Sequence, residues 1–242
     1  MNQIRTCPVC MHHCRLAPGQ LGRCRARKNE QGRIISVNYG KVTALALDPI
    51  EKKPLRQFYP GSKILSVGSF GCNLSCPFCQ NHEISMHGEQ AANHVEMTPL
   101  QLADLAEEMQ KRGNIGVAYT YNEPLIGHEF VRDCAAIVHA RGMKNVVITN
   151  GSVQLEILEA LLPDIDAMNI DLKGFTAAHY QRLGGDLHTV QEFIARAARS
   201  THVEVTTLIV PGENDTEEEM AAEAEWLASI DPQIPLHVTR FF

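Results

Sequence analysis

The 242-residue sequence contains no apolar run approaching the roughly 18 residues of a membrane-spanning helix. Its first residues include no apolar stretch of the secretory kind, so the expected address is the cytoplasm. Internal repeats and low-complexity tracts are absent. Glycine (17) and proline (12) are too few and too scattered for a fibrous or linker-dominated chain. Positive charge is not in excess: 22 Lys and Arg against 28 Asp and Glu give a net charge of −6, which argues against a nucleic-acid binder acting through its whole surface. What is there reads as globular, with 44% hydrophobic and 21% charged residues. At about 150 residues per domain, the length fits one large domain, alone or with a small appendage. Eight cysteines in a reducing compartment favour metal ligation over disulfides.

Cysteines and charges are unevenly spread. Residues 1–33 carry seven basic residues (Arg5, Arg15, Arg23, Arg25, Arg27, Lys28, Arg33) against Glu30 alone, together with Cys7, Cys10, Cys14 and Cys24. Cys72, Cys76 and Cys79 form a second group, and Cys134 stands apart in an apolar context that suits a buried, inert thiol. Three regions follow: a Cys-rich metal-binding head (1–33), a β-rich connector (34–62) and a long remainder (63–242).

From residue 63 the pattern alternates. Strands are expected at 64–70, 115–120, 145–149, 167–171, 203–210 and 235–241. Thr98-Pro99-Leu100-Gln101 opens a helix with a capping box that Gly113 closes. Further helices are expected at 125–141, at about 153–162, between the fourth and fifth strands, and from a Thr216–Glu219 capping box to about Ile230. In the last of these, Trp226 reads as a core contact and Glu217–Glu225 as a solvated face. Six strand–helix units imply an α/β fold with a parallel sheet and right-handed crossovers. Six are too few for a closed eight-unit barrel. The first choice is a partial (β/α)6 barrel, the second a doubly wound sheet.

Cys72-Asn-Leu-Ser-Cys76-Pro-Phe-Cys79 lies directly after the first strand. Three thiolates at this spacing can hold one metal cluster and leave a position open, as catalysis requires. The plain alternative is a zinc ion completed by His82 or a distant ligand. Other polar groups end successive strands, where barrel enzymes build their sites: Asn122-Glu123-Pro124, Thr149-Asn150-Gly151, Asp171-Leu-Lys173 and Val210-Pro-Gly. Asp171 and Lys173 share a strand face by period two. His237 and Arg240 lie on the sixth strand. In the head, four thiolates make a full structural set, for zinc or for an iron–sulfur cluster. The surrounding arginines read as solvated charge, as neutralisation of that set, or as a docking face for an acidic partner or RNA.

The CxxxCxxC loop with aromatic Phe78 resembles the signature of the radical S-adenosylmethionine (SAM) superfamily. The resemblance implies a [4Fe–4S] cluster on Cys72, Cys76 and Cys79, with SAM chelating the fourth iron and Phe78 against the adenine. Glu123, with Asn122 beside it, stands in the place of the family's GGE segment, whose glycines are missing here, and is implied to bind the SAM amino group. Thr149 and Asn150 resemble a SAM-contacting turn of glycyl-radical-enzyme activases. Ile148 replaces an acid of those activases, so their cation site is not expected. Asp171 and Lys173 resemble their DxK motif and are the catalytic candidates, orienting SAM and buffering charge when the sulfonium is cleaved. His237 is counted with the cofactor-binding residues.

The segments Tyr39–Leu55, Phe58–Gly68 and Cys79–Ser85 resemble the radical SAM enzyme of the AmmeMemoRadiSam system. That resemblance implies companions of the AMMECR and Memo types, an electron donor such as flavodoxin or ferredoxin, and a chain expected to be shorter at its C-terminus than its relatives. The substrate, a small molecule or a protein glycine, stays open. A zinc-dependent interaction or RNA-binding module is the rival from another class.

Overall fold

The computed structural model describes residues 3–90 and 92–241. The head opens with the antiparallel pair β1 (Arg5–Thr6) and β2 (Arg15–Leu16), followed by the hairpin β3 (Arg27–Glu30) and β4 (Arg33–Ser36). β5 (Lys41–Val42) leads into β6 (Ala44–Pro49) and a 3₁₀ turn at Ile50–Lys52. Then follow β7 (Lys63–Gly68), α1 (His82–Ser85), β8 (Val95–Glu96, paired with β5), α2 (Pro99–Glu108), β9 (Asn114–Tyr119), α3 (His128–Ala140), β10 (Lys144–Thr149) and α4 (Leu155–Leu161). The chain continues through β11 (Ala167–Asp171), α5 (Ala177–Arg182), α6 (Leu187–Ala197), β12 (His202–Ile209), α7 (Glu217–Ile230) and β13 (Leu236–Arg240).

One seven-stranded sheet carries the molecule, in the order β13-β12-β11-β10-β9-β7-β6. All neighbours are parallel except β6 on β7. The six parallel strands are those expected from sequence, each within about two residues. Their order never reverses, which sets aside the doubly wound alternative, since that fold turns back at a switch point. Sequential parallel strands with right-handed crossovers send every helix to one face. The antiparallel β6 was not expected as a sheet member; it closes the edge beside β7.

The two faces of the sheet hold separate cores. On the helix side, α6 buries Val190, Phe193, Ile194 and Ala197, the i, i+3, i+4, i+7 stripe of an amphipathic helix, and α3 buries Phe130, Val131, Cys134, Ala135 and Val138. Cys134 is fully enclosed, as its apolar context implied. On the other face Ile64, Ala118, Val146 and Ala167 point inward and meet Ile50 and Leu55, so the segment after β6 plugs one end of the barrel. The head shares the larger core: Cys7, Val9, Cys10 and Leu16 pack in the same cluster as the helices.

Caps follow the sequence in part. Thr98 and Gln101 form the expected reciprocal box. At α7 only half of it exists: Thr216 accepts from the Glu219 N–H, but the Glu219 carboxylate takes the Phe175 N–H instead. Nor is 217–225 wholly a solvated face. Glu223 is buried against the Thr207 hydroxyl, and burial pushes its carboxyl up to about 7. Trp226 packs on Phe175, as a core contact should.

The plugged end is held by Glu204 on β12, whose side chain is fully buried. Its carboxylate accepts from the backbone N–H groups of Arg56 (2.9 Å) and Gln57 (2.8 Å) and contacts His202 (3.0 Å) and His237 (2.6 Å). Burial opposes its charge, but these partners win and hold the carboxyl below the usual value of 4.5. A carboxyl lowered in the folded state stabilises the fold above the unfolded value, and that stability is lost as pH falls through the folded one. Glu204→Gln is therefore expected to lower stability by about 1–3 kcal/mol near neutrality and to weaken the loss of stability below pH 4.5. Urea unfolding at several pH values checks this; an unchanged acid profile would contradict it.

Candidate active site

At the end of the barrel opposite the plug, the C-terminal ends of the strands surround a cavity of about 590 Å³, within the ~300–1,000 Å³ of small-molecule sites. Cys72, Cys76, Phe78, Cys79, Asn122, Glu123, Thr149, Asn150, Asp171 and Lys173 all line it. Ten residues named from separate parts of the sequence thus meet in one place. His237 does not line it. Its ring is held by Glu204 at the plugged end. The Val210–Gly212 turn does not line it either, and His82 is exposed at the start of α1 rather than joining the cysteines.

Glu123 organises the floor. Oε1 accepts from the Leu125 N–H (2.9 Å) and the Thr149 hydroxyl (2.8 Å), and Oε2 from the Asn150 N–H (2.8 Å). One carboxylate therefore ties the end of β9 to the end of β10. Burial pushes this carboxyl up to about 7, against the lowering effect of the three donors. Asn122 is spent on the chain: its oxygen accepts from the Ser69 N–H, and its amide donates to the carbonyls of Phe70, Gly71 and Glu123. It shapes the turn into the cysteine loop.

Asn150 reaches that loop directly. Its amide donates to the Asn73 side-chain oxygen (3.0 Å) and approaches Cys72 Sγ (3.7 Å). Cys72 also accepts from the Leu74 N–H at 3.4 Å. Burial raises the Cys72 and Cys76 thiols, and Lys173 opposes this at both. Lys173 pairs with Asp171 at 2.9 Å. Burial works against its charge, but Asp171 and Cys76 hold its pKa above the ordinary lysine value. A fixed cation beside Cys76 favours the thiolate that metal binding needs.

Sequence reasoning missed one wall. Tyr121 sits at φ +73°, a left-handed conformation that a bulky residue adopts only under constraint. Its hydroxyl donates to Asp48 (2.8 Å), and the buried Lys53 ammonium lies over its ring at 4.6 Å. Asp48 also pairs with Lys52 and Lys53, each at 2.8 Å. Lys52 and Lys53 line the cavity with Tyr121. As a charge run after a short strand they look solvated; nothing local marks them. The left-handed backbone at 121 is the kind a glycine would adopt, and it stands where the resembled segment has one.

The head's thiols lie near one another. Cys10, raised to about 12 mainly by burial, has Cys24, Cys7 and Cys14 within electrostatic reach. The Cys7 N–H donates to the Cys14 carbonyl at 2.9 Å and the His13 N–H to the Cys10 carbonyl at 3.1 Å, which brings the first three cysteines onto one tight turn. All eight cysteines are free thiols. Among the described residues no group of three or more His, Cys, Asp or Glu side chains is already placed to hold one metal ion. The donor chemistry fits a cluster at 72–79: three cysteines face one cavity, a lysine beside them and room for a further ligand in front.

Comparison with known proteins bears on the whole arrangement. The Radical SAM superfamily matches residues 66–227. An uncharacterized protein of Methanocaldococcus jannaschii is 39% identical over 242 residues, covering 99% of this chain and 71% of that protein. Pyruvate formate-lyase 1-activating enzyme of Escherichia coli K12 is 28% identical over 66% of this chain and 65% of its own length. The crystal structure of methylornithine synthase superposes with a TM-score of 0.52 at 13% identity, over 77% of this chain and 56% of that one, a likeness of fold. No helix among the described residues is long and apolar enough to cross a membrane.

Glu123→Gln tests the floor. The amide has one acceptor oxygen where the carboxylate has two, so one buried donor loses its partner. Urea unfolding is expected to show a loss of about 1–3 kcal/mol. Stability within about 0.5 kcal/mol of wild type, the range of ordinary surface changes, would show that the carboxylate does not hold the strand ends.

Proposed function

The chain belongs to the radical SAM superfamily, and from that premise we propose that it cleaves SAM reductively and turns the resulting radical on a substrate. One observation carries this: three cysteines, a lysine–aspartate pair and the Glu123-centred strand ends converge on a single cavity. A [4Fe–4S] cluster held by Cys72, Cys76 and Cys79 would supply the one-electron reduction that splits SAM into methionine and a hydrogen-abstracting 5′-deoxyadenosyl radical.

The chain's own residues do the placing. Cys72, Cys76 and Cys79 are the proposed ligands, and their loop is fixed by Asn122 from below and Asn150 from the side. Phe78 offers an aromatic face to the adenine. Glu123 Oε2 carries a single donor, so it retains acceptor capacity for the SAM amino group. Thr149 and Asn150 form the wall beside it. Lys173 stays cationic next to Cys76, and Asp171 orients it. His237, held by Glu204, serves the plugged end rather than the cofactor.

The finer reading is of the AmmeMemoRadiSam type, supported by the segments Tyr39–Leu55, Phe58–Gly68 and Cys79–Ser85. It brings AMMECR-like and Memo-like companions, a flavodoxin or ferredoxin donor and a cytoplasmic setting. A second metal in the head, zinc or an auxiliary iron–sulfur cluster, belongs to the same reading, as does the division into head (1–33), connector (34–62) and barrel (63–242). The 28% identity to an enzyme that activates pyruvate formate-lyase supports a glycyl-radical-enzyme activase as the second reading.

Anaerobically reconstituted, reduced protein given SAM is expected to form 5′-deoxyadenosine and methionine. Cys76→Ala should lose the product and about four irons per chain. Loaded wild-type protein that forms no 5′-deoxyadenosine, beside a control enzyme that does, would overturn the proposal.

A further inference from the structure

The head meets the barrel at the cysteine loop and at the segment after β10. The His12 ring Nε2 lies 2.7 Å from the backbone carbonyl oxygen of Asn73. A carbonyl only accepts, so Nε2 carries the proton in this contact. Gly71 sits at φ +88°, and a Cβ there would come within 2.4 Å of the Cys24 carbonyl oxygen, so only glycine fits between head and loop. The Gln154 N–H donates to the Val9 carbonyl at 3.0 Å, and Cys10 bridges Val153.

These contacts form a continuous path. His12 lies in the turn that the His13 N–H closes onto the Cys10 carbonyl at 3.1 Å, and its ring donates to the Asn73 carbonyl. The Asn73 side chain accepts from Asn150, whose amide also approaches Cys72 Sγ. One residue of the head therefore joins the Cys10 turn to Cys72 through two asparagines.

The basic residues around the head quartet suit an anionic metal–thiolate centre. The Arg27 side chain is buried beside Cys7, paired with Glu129 at 2.7 Å, and its Nε has no hydrogen-bond partner among the described residues. An uncompensated buried donor is costly. A tetrathiolate metal centre, net −2 with zinc, would place negative charge next to it.

We propose that Cys7, Cys10, Cys14 and Cys24 hold a thiophilic metal centre, and that His12 is a positioning residue that couples this centre to the 72–79 loop and fixes where Cys72 stands. The coupling rests on the reading of 72–79 as a cluster site; the head metal does not.

The test uses full-length protein purified without oxygen. Iron, acid-labile sulfide and zinc are counted per chain in wild type and in Cys10→Ser. Zinc, or iron beyond one four-iron cluster, that is lost in Cys10→Ser establishes the head site and names its metal. A wild type with no metal beyond one four-iron cluster overturns it. A head metal in protein whose barrel takes up no iron would sink the radical reading and leave the head site standing. His12→Ala and His12→Gln then test the coupling by hydrogen exchange on metal-loaded protein. His12→Ala should keep both metal loads yet speed amide exchange across 72–76 about tenfold. His12→Gln, whose amide can donate to the same carbonyl, should restore most of the protection. Exchange across 72–76 that is unchanged in His12→Ala, or raised equally in both variants, would overturn the coupling.

Discussion

A fully buried carboxylate is expensive unless donors surround it, and Glu123 is surrounded by three that come from two neighbouring strand ends. Where that carboxylate sits decides where the 149–151 turn sits, and the turn carries Asn150 to the cysteine loop. Asn122, next in the chain, fixes the start of the same loop from beneath. The barrel's own contribution to the geometry of the proposed cluster site therefore depends on this one carboxylate. A cofactor entering it would meet walls already in place, which is how a protein contributes to chemistry that the cofactor performs.

The barrel interior divides into two ends by the same means. At one end Ile50 and Leu55 fill the space between inward-facing apolar residues, and Glu204 pins the plugging segment through two backbone amides. At the other end Thr206, Thr239, Asp171 and Lys173 replace apolar residues on the same inner faces, and the space stays open. The plug follows β6, so the connector between head and barrel is also what stoppers the barrel. Next to it, Asp48, Lys52, Lys53 and Tyr121 form a charged, aromatic wall that meets the cavity from the connector side.

Much of this was legible in the sequence, for identifiable reasons. The six parallel strands show because runs such as Asn145-Val-Val-Ile-Thr149 are apolar on both faces and bounded by turn residues. The cavity residues show because chemistry-bearing groups recur at strand ends. β6 stayed hidden as a sheet strand because Ala-Leu-Ala-Leu is short and unspecific, and its partner is supplied only by the fold. Glu223 and Glu219 read as solvent-facing because the first nine residues of α7 hold five glutamates; the neighbours that engage them, Thr207 and Phe175, come from β12 and the loop after β11. His237 reads as a pocket residue because it lies on an inward-facing strand, but period two fixes only the face. The choice between cavity and plug is made by the side chain's partner: His237 pairs in register with the cavity-lining Thr206, yet its ring is held by Glu204 at the plugged end.

The central claim is that the 72–79 loop holds a redox-active cluster with one position turned toward SAM. Electron paramagnetic resonance of the reduced, anaerobically prepared protein, recorded with and without SAM, tests it most directly. The account predicts an iron–sulfur signal that requires Cys72, Cys76 and Cys79 and whose line positions change when SAM is added. The absence of any signal component that responds to SAM, or a SAM-responsive component that survives replacement of those three cysteines by alanine, would contradict it.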